Sequence, residues 1–370
     1  MKIDRIEIYH DAVPLKRPFV TSFGATTKVE ALLVKMVSGD HCGWGESSPL
    51  GSPGFSPEYA GGAFRVAKDF ILPQLASQPE IKDVYELQER MSNIRGNYFA
   101  KAAFDMAFHD LESRMQGMPL WRHFGGTRSR ISCGLDFGIR ESVSELLREL
   151  EEAILAGYGC IKLKFGPGCG IDMLAKVRDK FPDFPFFIDC NAAYTLNDLD
   201  LFKELDRFNL MMFEQPLAWD DIEDHAQLQR QIKTPICLDE SLTSPDKARK
   251  AAASGACRIF NLKPGRMGGY TPALQTMEIA AKAGISCWVG GMFESSVGRS
   301  GMIALASRKE VDMPSDITPP LKKYCFDLTE NSVDYEPCPY FKQTLDTGSG
   351  KVPDPLRLKN ATVEFCEWKA

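Results

Sequence analysis

No stretch of this chain is apolar for long enough to cross a bilayer. Its first residues, Met1-Lys-Ile-Asp-Arg-Ile-Glu-Ile, alternate polar and apolar like a strand and lack the unbroken apolar core of a signal peptide. No membrane association and a cytoplasmic location are the expectation. Positive charge is also short: 44 Lys and Arg against 50 Asp and Glu leave a formal charge of −6. That balance excludes the broad basic face that nucleic acid or an anionic membrane requires, so a small anion could bind only at a local positive pocket. The five histidines, His10, His41, His109, His123 and His225, include no two at the spacing of zinc ligands, which argues against a zinc site. The eleven cysteines are odd in number, scattered and free of any Cys-x-x-Cys pair, so they read as free thiols of a reducing compartment. Several lie in apolar runs such as Ile236-Cys237-Leu238, where a thiol serves as a small buried hydrophobe.

What is present suits a soluble enzyme of two modules, since 370 residues exceed the roughly 250 of a typical (β/α)₈ barrel. In the first third, residues 2–9, 29–37 and 42–46 read as strands, and 57–72 and 98–115 as helices. The segments 19–27 and 47–57 read as mobile loops. From about residue 130 the texture changes to short apolar runs alternating with amphipathic stretches. Eight strands are predicted, at 131–136, 160–164, 186–189, 211–214, 236–239, 259–263 and 286–290, with a weak last one at 312–316. Helices at 141–156, 169–180, 197–206, 222–231, 244–254 and 270–283 separate them. No Gly-x-Gly-x-x-Gly turn follows the first of these strands, so the α/β pattern fits a (β/α)₈-type barrel better than an open nucleotide-binding sheet. The loop-like stretch near 344–355 belongs to neither pattern.

Five of the strands end on a charge. Lys164, Asp189, Glu214, Asp239 and Lys263 are separated by 25, 25, 25 and 24 residues, the length of one βα unit, so all five should emerge at the C-terminal mouth of the barrel. Buried charges gathered there cost several kcal/mol each unless a metal or a partner offsets them. Three carboxylates on adjacent strands make an oxygen-only cage for a hard cation such as Mg²⁺, with Mn²⁺ as a substitute. A small-molecule carboxylate bound to that cation would lie between the two lysines. The proton next to a carboxylate is very weakly acidic, and a dication neutralises the charge that its removal creates. A lysine acts as base only if it sheds its own proton, which a neighbouring cation favours. Lys162 lies on the same side of its strand as Lys164 and supplies one. A Schiff-base aldolase also uses a barrel lysine but has no use for three carboxylates.

These motifs carry a resemblance. Ile161-Lys-Leu-Lys, Asp189-Cys-Asn-Ala-Ala-Tyr194, Phe213-Glu-Gln-Pro-Leu-Ala-Trp219, Thr234-Pro-Ile-Cys-Leu-Asp-Glu-Ser241, Asn261-Leu-Lys-Pro-Gly-Arg-Met-Gly-Gly269 and Gly290-Gly-Met-Phe-Glu-Ser295 occur in an order that resembles the enolase superfamily, in its muconate-lactonizing-enzyme-like branch. More narrowly, they look like the o-succinylbenzoate synthase / N-succinylamino acid racemase group. The resemblance implies a capping domain at 1–128, a barrel at 129–320 and a segment at 321–370 that returns to the capping domain, with loops 19–27 and 47–57 closing the mouth. It assigns Asp189, Glu214 and Asp239 to Mg²⁺, supported by Asn191 and Glu240, and places Glu294 and Ser295 near the substrate. As a synthase, a step of menaquinone biosynthesis, Lys164 would remove the α-proton and help hydroxide leave while Lys263 stabilises the enediolate. As a racemase, the two lysines would act on opposite faces, and Arg266 is a feature that accompanies this activity in the group. Other epimerases or cycloisomerases of the superfamily are the further alternative, although its sugar-acid branch commonly needs a barrel histidine and none ends a strand here. Homo-oligomers are common among such barrels. Two places depart from the pattern. Asp136 stands where a small neutral residue is expected, either facing the distal end of the substrate, where it would repel a succinyl carboxylate, or turned to an Arg or a backbone amide. Gly298-Arg-Ser-Gly-Met302 replaces a bulkier polar run.

Overall fold

A computed structural model describes residues 1–21, 24–138, 140, 142–336 and 339–370. The N-terminal strands form a sheet of order β13-β1-β2-β3, from β1 (Arg5–Thr21), β2 (Gly24–Ser38), β3 (His41–Ser47) and the last strand of the chain, β13 (Thr362–Lys369). β13 runs antiparallel to β1, with Arg5 opposite Lys369 and Asp11 opposite Thr362. Loop 19–27 is a correction: after an irregularity between Pro14 and Phe19, the β1–β2 ladder resumes with Phe19, Val20 and Thr21 opposite Thr26, Ala25 and Gly24. The Gly24 and polar-residue signal therefore belongs to the tip of a long hairpin, where continued backbone pairing outweighs local turn propensity. Ser22 and Phe23 of that expected loop lie outside the described residues, as does Cys338. Among the described residues the other ten cysteines are free thiols.

The helix Tyr98–Met115 lies across this sheet. Its residues Phe104, Phe108 and Leu111 pack against Ile6, Ile8, Leu32 and Val34. Gly43 and Gly45 on β3 permit the approach, because a Cβ on Gly45 would sit 2.1 Å from the Ala103 carbonyl oxygen and one on Gly43 would sit 2.2 Å from the Leu111 nitrogen. The N-terminus of this helix lacks a side-chain cap from Asn97. Glu58 replaces it, accepting hydrogen bonds from the backbone N–H of Tyr98 at 2.7 Å and of Phe99 at 2.9 Å.

The second sheet is parallel and contains β5 (Leu135–Phe137), β6 (Ile161–Lys164), β7 (Phe186–Asp189), β8 (Phe213–Glu214), β9 (Ile236–Leu238), β10 (Ile259–Leu262) and β11 (Ser286–Val289) in sequential order. The predicted first strand is split. β4 (Arg130–Ser132) pairs antiparallel with β12 (Tyr340–Lys342), and only after Cys133 and Gly134 have bonded to Pro339 and Ser315 does the chain enter the barrel as β5. The weak eighth strand appears as isolated parallel bridges, Cys287 with Val311, Gly290 with Asp316 and Cys133 with Ser315. These join β11 to the chain just before β5 and close the ring. Pro314 interrupts this stretch, and a residue without an N–H cannot sustain a regular ladder. Inside the ring Cys160, Phe187, Met212, Cys237, Ile259 and Trp288 form a compact apolar plug, so the barrel is a packed core and chemistry is confined to its mouth.

Candidate active site

Parallel register places the strand-end charges side by side, Lys164 opposite Asp189 and Asp189 opposite Glu214. Asp239 and Lys263 directly follow β9 and β10. On β6, Lys162 and Lys164 share a face by the two-residue period of a strand. The chain leaves two of the carboxylates through tight turns: Asn191 and Ala192 after Asp189, and Gln215 after Glu214, all have positive φ. The Gln215 side chain ties two of these strand ends together, accepting from the backbone N–H of Asp239 at 3.0 Å and donating to the Ser241 hydroxyl at 2.6 Å.

The lysines are engaged with the carboxylates. Lys164 Nζ donates to Asp189 Oδ2 and to Asn191 Oδ1, both at 2.6 Å. Lys263 Nζ donates to Asp239 Oδ2 at 2.8 Å, and Arg266 holds the other oxygen of Asp239. Lys162 Nζ stands 2.7 Å from Asp316 and 3.7 Å from both Asp189 and Glu214. Glu214 Oε1 accepts from Asn261 at 2.9 Å, whereas its Oε2, like Glu240 Oε2, is buried without a hydrogen-bond partner among the described residues. Asn191 donates to Glu240 Oε1 at 3.2 Å. Burial, reinforced by the charge of Asp189, pushes the Glu214 carboxyl up to about 8. Burial likewise lifts Glu240 to about 7, with Asp239 adding to it. Burial also opposes ionisation of Asp239 and Asp189, but Arg266 and Lys263 hold the first below its usual range and Lys164 and Lys162 hold the second there. Burial and Lys162 act to lower Lys164, as the Lys-x-Lys motif suggests, yet Asp189 and Glu214 together outweigh them and the net shift is upward.

An orphaned, protonation-prone carboxylate oxygen beside two more carboxylates, with no sulfur or imidazole in the set, fits a hard divalent cation. In this arrangement the three carboxylates do not offer oxygens that all lie within 4.8 Å of one another.

A cavity of about 270 Å³ opens over these groups. Lys162, Lys164, Asp189, Asn191 and Lys263 form its floor. Its wall comes from the capping side and from beyond the barrel. Phe55, in the segment 47–57, lays its ring 4.7 Å from Lys263 Nζ. Asp136 also lines it, and Lys323 Nζ reaches Asp136 Oδ1 at 3.4 Å. Burial opposes the charge on Asp136, but Lys323 and Lys162 keep it well below the usual carboxylate range, so it faces lysines rather than an Arg or a backbone amide.

The other expected residues stand outside the cavity lining. Arg266 is buried against Asp239 and the carbonyls of Leu242 and Asn261, where it positions Asp239. Glu294 accepts twice from the backbone N–H of Met292. Ser295 caps the helix Ser296–Leu305 and bonds Glu46 of β3. The glycines of the departing Gly298–Met302 run have a steric reason. A Cβ on Gly298 would meet Glu294 at 2.8 Å, and one on Gly301 would fall 1.6 Å from the Tyr270 hydroxyl oxygen. His225 is structural, accepting from the Leu217 N–H and pairing with Asp221. Sequence reasoning did not single out Asp316, Arg299 or Lys323, which line the cavity. Asp316 was accessible to the strand-end rule that found the others. Lys323 carries no comparable signal.

Residues 3–125 match the family described as mandelate racemase / muconate lactonizing enzyme, N-terminal domain, and residues 145–336 match the enolase C-terminal domain-like family. An o-succinylbenzoate synthase of Geobacillus kaustophilus is 43% identical over 317 residues, covering 85% of this chain and 84% of its own. An N-succinylamino acid racemase of Thermus thermophilus is 40% identical over 334 residues, covering 90% of each. A crystal structure of an enolase superfamily member from Listeria innocua superposes with a TM-score of 0.95 at 34% identity, covering 100% of this chain and 99% of the other.

Proposed function

Because this chain belongs to the enolase superfamily, through the mandelate racemase / muconate lactonizing enzyme family that its two segments match, we propose that it is an o-succinylbenzoate synthase of menaquinone biosynthesis. It would dehydrate a cyclohexadiene carboxylate with Asp189, Glu214 and Asp239 holding Mg²⁺, or Mn²⁺ in its place. The observation that carries this reading is the pair of lysines, Lys164 and Lys263, each against a separate carboxylate of the cage on the floor of one cavity. The cation, when bound, neutralises the charge that develops on the substrate carboxylate. Released from Asp189 and deprotonated to the neutral amine, Lys164 takes the α-proton and the C–H electron pair moves into the enediolate. The same ammonium then gives its proton to the departing hydroxide, so water leaves and the ring becomes aromatic. Lys263, on the other side, donates to the enediolate, and Phe55 excludes water above it. Asn191 and Glu240 orient the cage from behind.

A second reading, N-succinylamino acid racemase, is favoured by the symmetry of the two lysines, which allows one to take a proton and the other to return it to the opposite face. Incubation in D₂O with Mg²⁺ separates the two. The synthase dehydrates its precursor and leaves N-succinylamino acids unexchanged, whereas a racemase incorporates deuterium into them. Failure of both reactions would move the chain to another branch. EDTA should abolish activity and Mg²⁺ restore it. Cytoplasmic location and a homo-oligomeric state accompany this proposal.

A further inference from the structure

Away from the mouth, the fold assembles a cluster that sequence spacing argued against. His109 and Glu112 lie one turn apart on the helix Tyr98–Met115, and His123 returns from the short helix Leu120–His123. His109 Nδ1 is 3.0 Å from His123 Nε2, and the same Nε2 is 3.5 Å from Glu112 Oε2. Two nitrogens bound to one tetrahedral zinc, at 2.0–2.1 Å each, stand about 3.3 Å apart. The spacing thus matches a shared ion with little movement.

The outer nitrogens of both rings have hydrogen-bond partners. The Thr271 hydroxyl lies 2.9 Å from His109 Nε2. The Gln116 side-chain oxygen, 3.2 Å from His123 Nδ1, accepts from that nitrogen. The inner nitrogens, His109 Nδ1 and His123 Nε2, face one another at hydrogen-bond distance beside the Glu112 carboxylate, and an ion taken up there would replace the ring proton they share. A ring N–H held by an outer acceptor is the usual support of a metal-binding histidine.

We propose that His109, Glu112 and His123 form a second metal site, for a divalent cation of the zinc class, at the seam between the capping-domain helix and the barrel helix Tyr270–Ala283. The rings of Phe124 and Tyr270 close its inner side, at centroid distances of 5.4 and 6.1 Å from His109. On the outer side Glu112 and His123 keep 26% and 12% of their side-chain surface exposed, which leaves room for water as the remaining ligand. None of the three lines the catalytic cavity. Bound there, the ion pins the seam.

The test uses the full chain stripped with chelator and returned to excess Mg²⁺, which occupies the oxygen cage. Co²⁺ titrated into it should bind at one per chain with the visible absorption of a low-coordinate nitrogen and oxygen site, and Zn²⁺ should displace it. His123→Gln and Glu112→Gln should each weaken uptake at least about tenfold. Both should keep Mg²⁺-dependent turnover within about twofold of the parent, which also shows that they are folded. Zn²⁺ should raise the Tm of the parent and of neither variant. Uptake of Co²⁺ unchanged by both substitutions, or no uptake in excess Mg²⁺, overturns the proposal.

Discussion

If Asp239 holds the proposed cation, Lys263 would compete with it for the same oxygen, and this makes Lys263→Met an informative perturbation. Lys263 Nζ lies 2.8 Å from Asp239 Oδ2, and a Mg²⁺ on that oxygen, at about 2.1 Å, would stand roughly 4–5 Å from the ammonium. Unit charges at 4 Å repel by about 4 kcal/mol at an effective dielectric constant near 20, and a dication doubles that. If the ammonium of the parent swings away from the ion, most of this is relieved, and a residual of about 1.4–2.8 kcal/mol is expected, a tenfold to hundredfold tightening of Mg²⁺ in the variant. Asp239 should stay in place, because Arg266 still holds its second oxygen. Turnover should fall by about 10²–10³, the cost of losing one donor to the enediolate. Isothermal titration of Mg²⁺ into chelator-treated parent and variant, beside steady-state assays of both, reads the two effects separately. If Mg²⁺ binds more weakly in Lys263→Met, in step with lost activity, the lysine is a scaffold for Asp239 and the role proposed for it is wrong.

Stability should depend on pH in a direction set by buried carboxyls outside the cage. Burial raises Glu46 and Glu58 to about 7 and Asp105 to about 6, all above their unfolded values. The stability that these protons carry is complete below about pH 4 and is lost as pH rises through 6–7. Asp189 and Asp239, held low, and His109 and His123, lowered by burial, contribute in the opposite sense; the aspartates lose their share only in strong acid, and the histidines begin to lose theirs below about pH 6.5 without reversing the trend of the more numerous carboxyls. Urea midpoints in EDTA should therefore fall between pH 5 and pH 8, less steeply in Glu46→Gln; a midpoint that climbs over this range contradicts the assignment. Gly45→Ala should cost at least about 3 kcal/mol, because its Cβ would meet the backbone of the helix Tyr98–Met115 at 2.1 Å. The check is the Tm of the variant, and a drop under about 2 °C would mean that the helix slides easily. Asp136→Ser removes a carboxylate from Lys323 and should lower KM for a succinyl substrate several-fold with little change in kcat; a raised KM would place the succinyl group elsewhere.

The catalytic floor was legible because a barrel turns a period in sequence into a ring in space. Charges 24 or 25 residues apart at strand ends become neighbours whatever the helices between them contain. The same logic reached the eighth strand only faintly, since Pro314 reduces it to single bridges, and with it Asp316 went unmarked. Where contacts are not periodic the sequence says little. Lys323 meets Asp136 across 187 positions, and the pairing of Phe19–Thr21 with Gly24–Thr26 was hidden beneath turn-like composition. The histidine cluster was missed for the same reason. Zinc-ligand spacing describes one local motif, whereas His109 and His123 are brought together by a helix that ends at Met115 and a short helix that folds back on it.

This division between floor and wall bears on specificity. Glu46, on β3 of the capping sheet, accepts from Ser295 and from the Gly298 N–H at 2.8 Å, so a capping-domain carboxylate sits on the N-terminus of a barrel helix. The next residue on that helix is Arg299, which lines the cavity and is aimed by bonds to the carbonyls of Glu294 and Met292. A shift of the capping sheet thus reaches Arg299 through Glu46 without touching Lys164 or Lys263. The proposed proton-transfer lysines are fixed by strands buried in the barrel, while Arg299 in the cavity wall sits on a helix whose N-terminus is held by the capping sheet. It follows that changes at the domain junction can redirect substrate choice and leave the chemistry of the lysines in place.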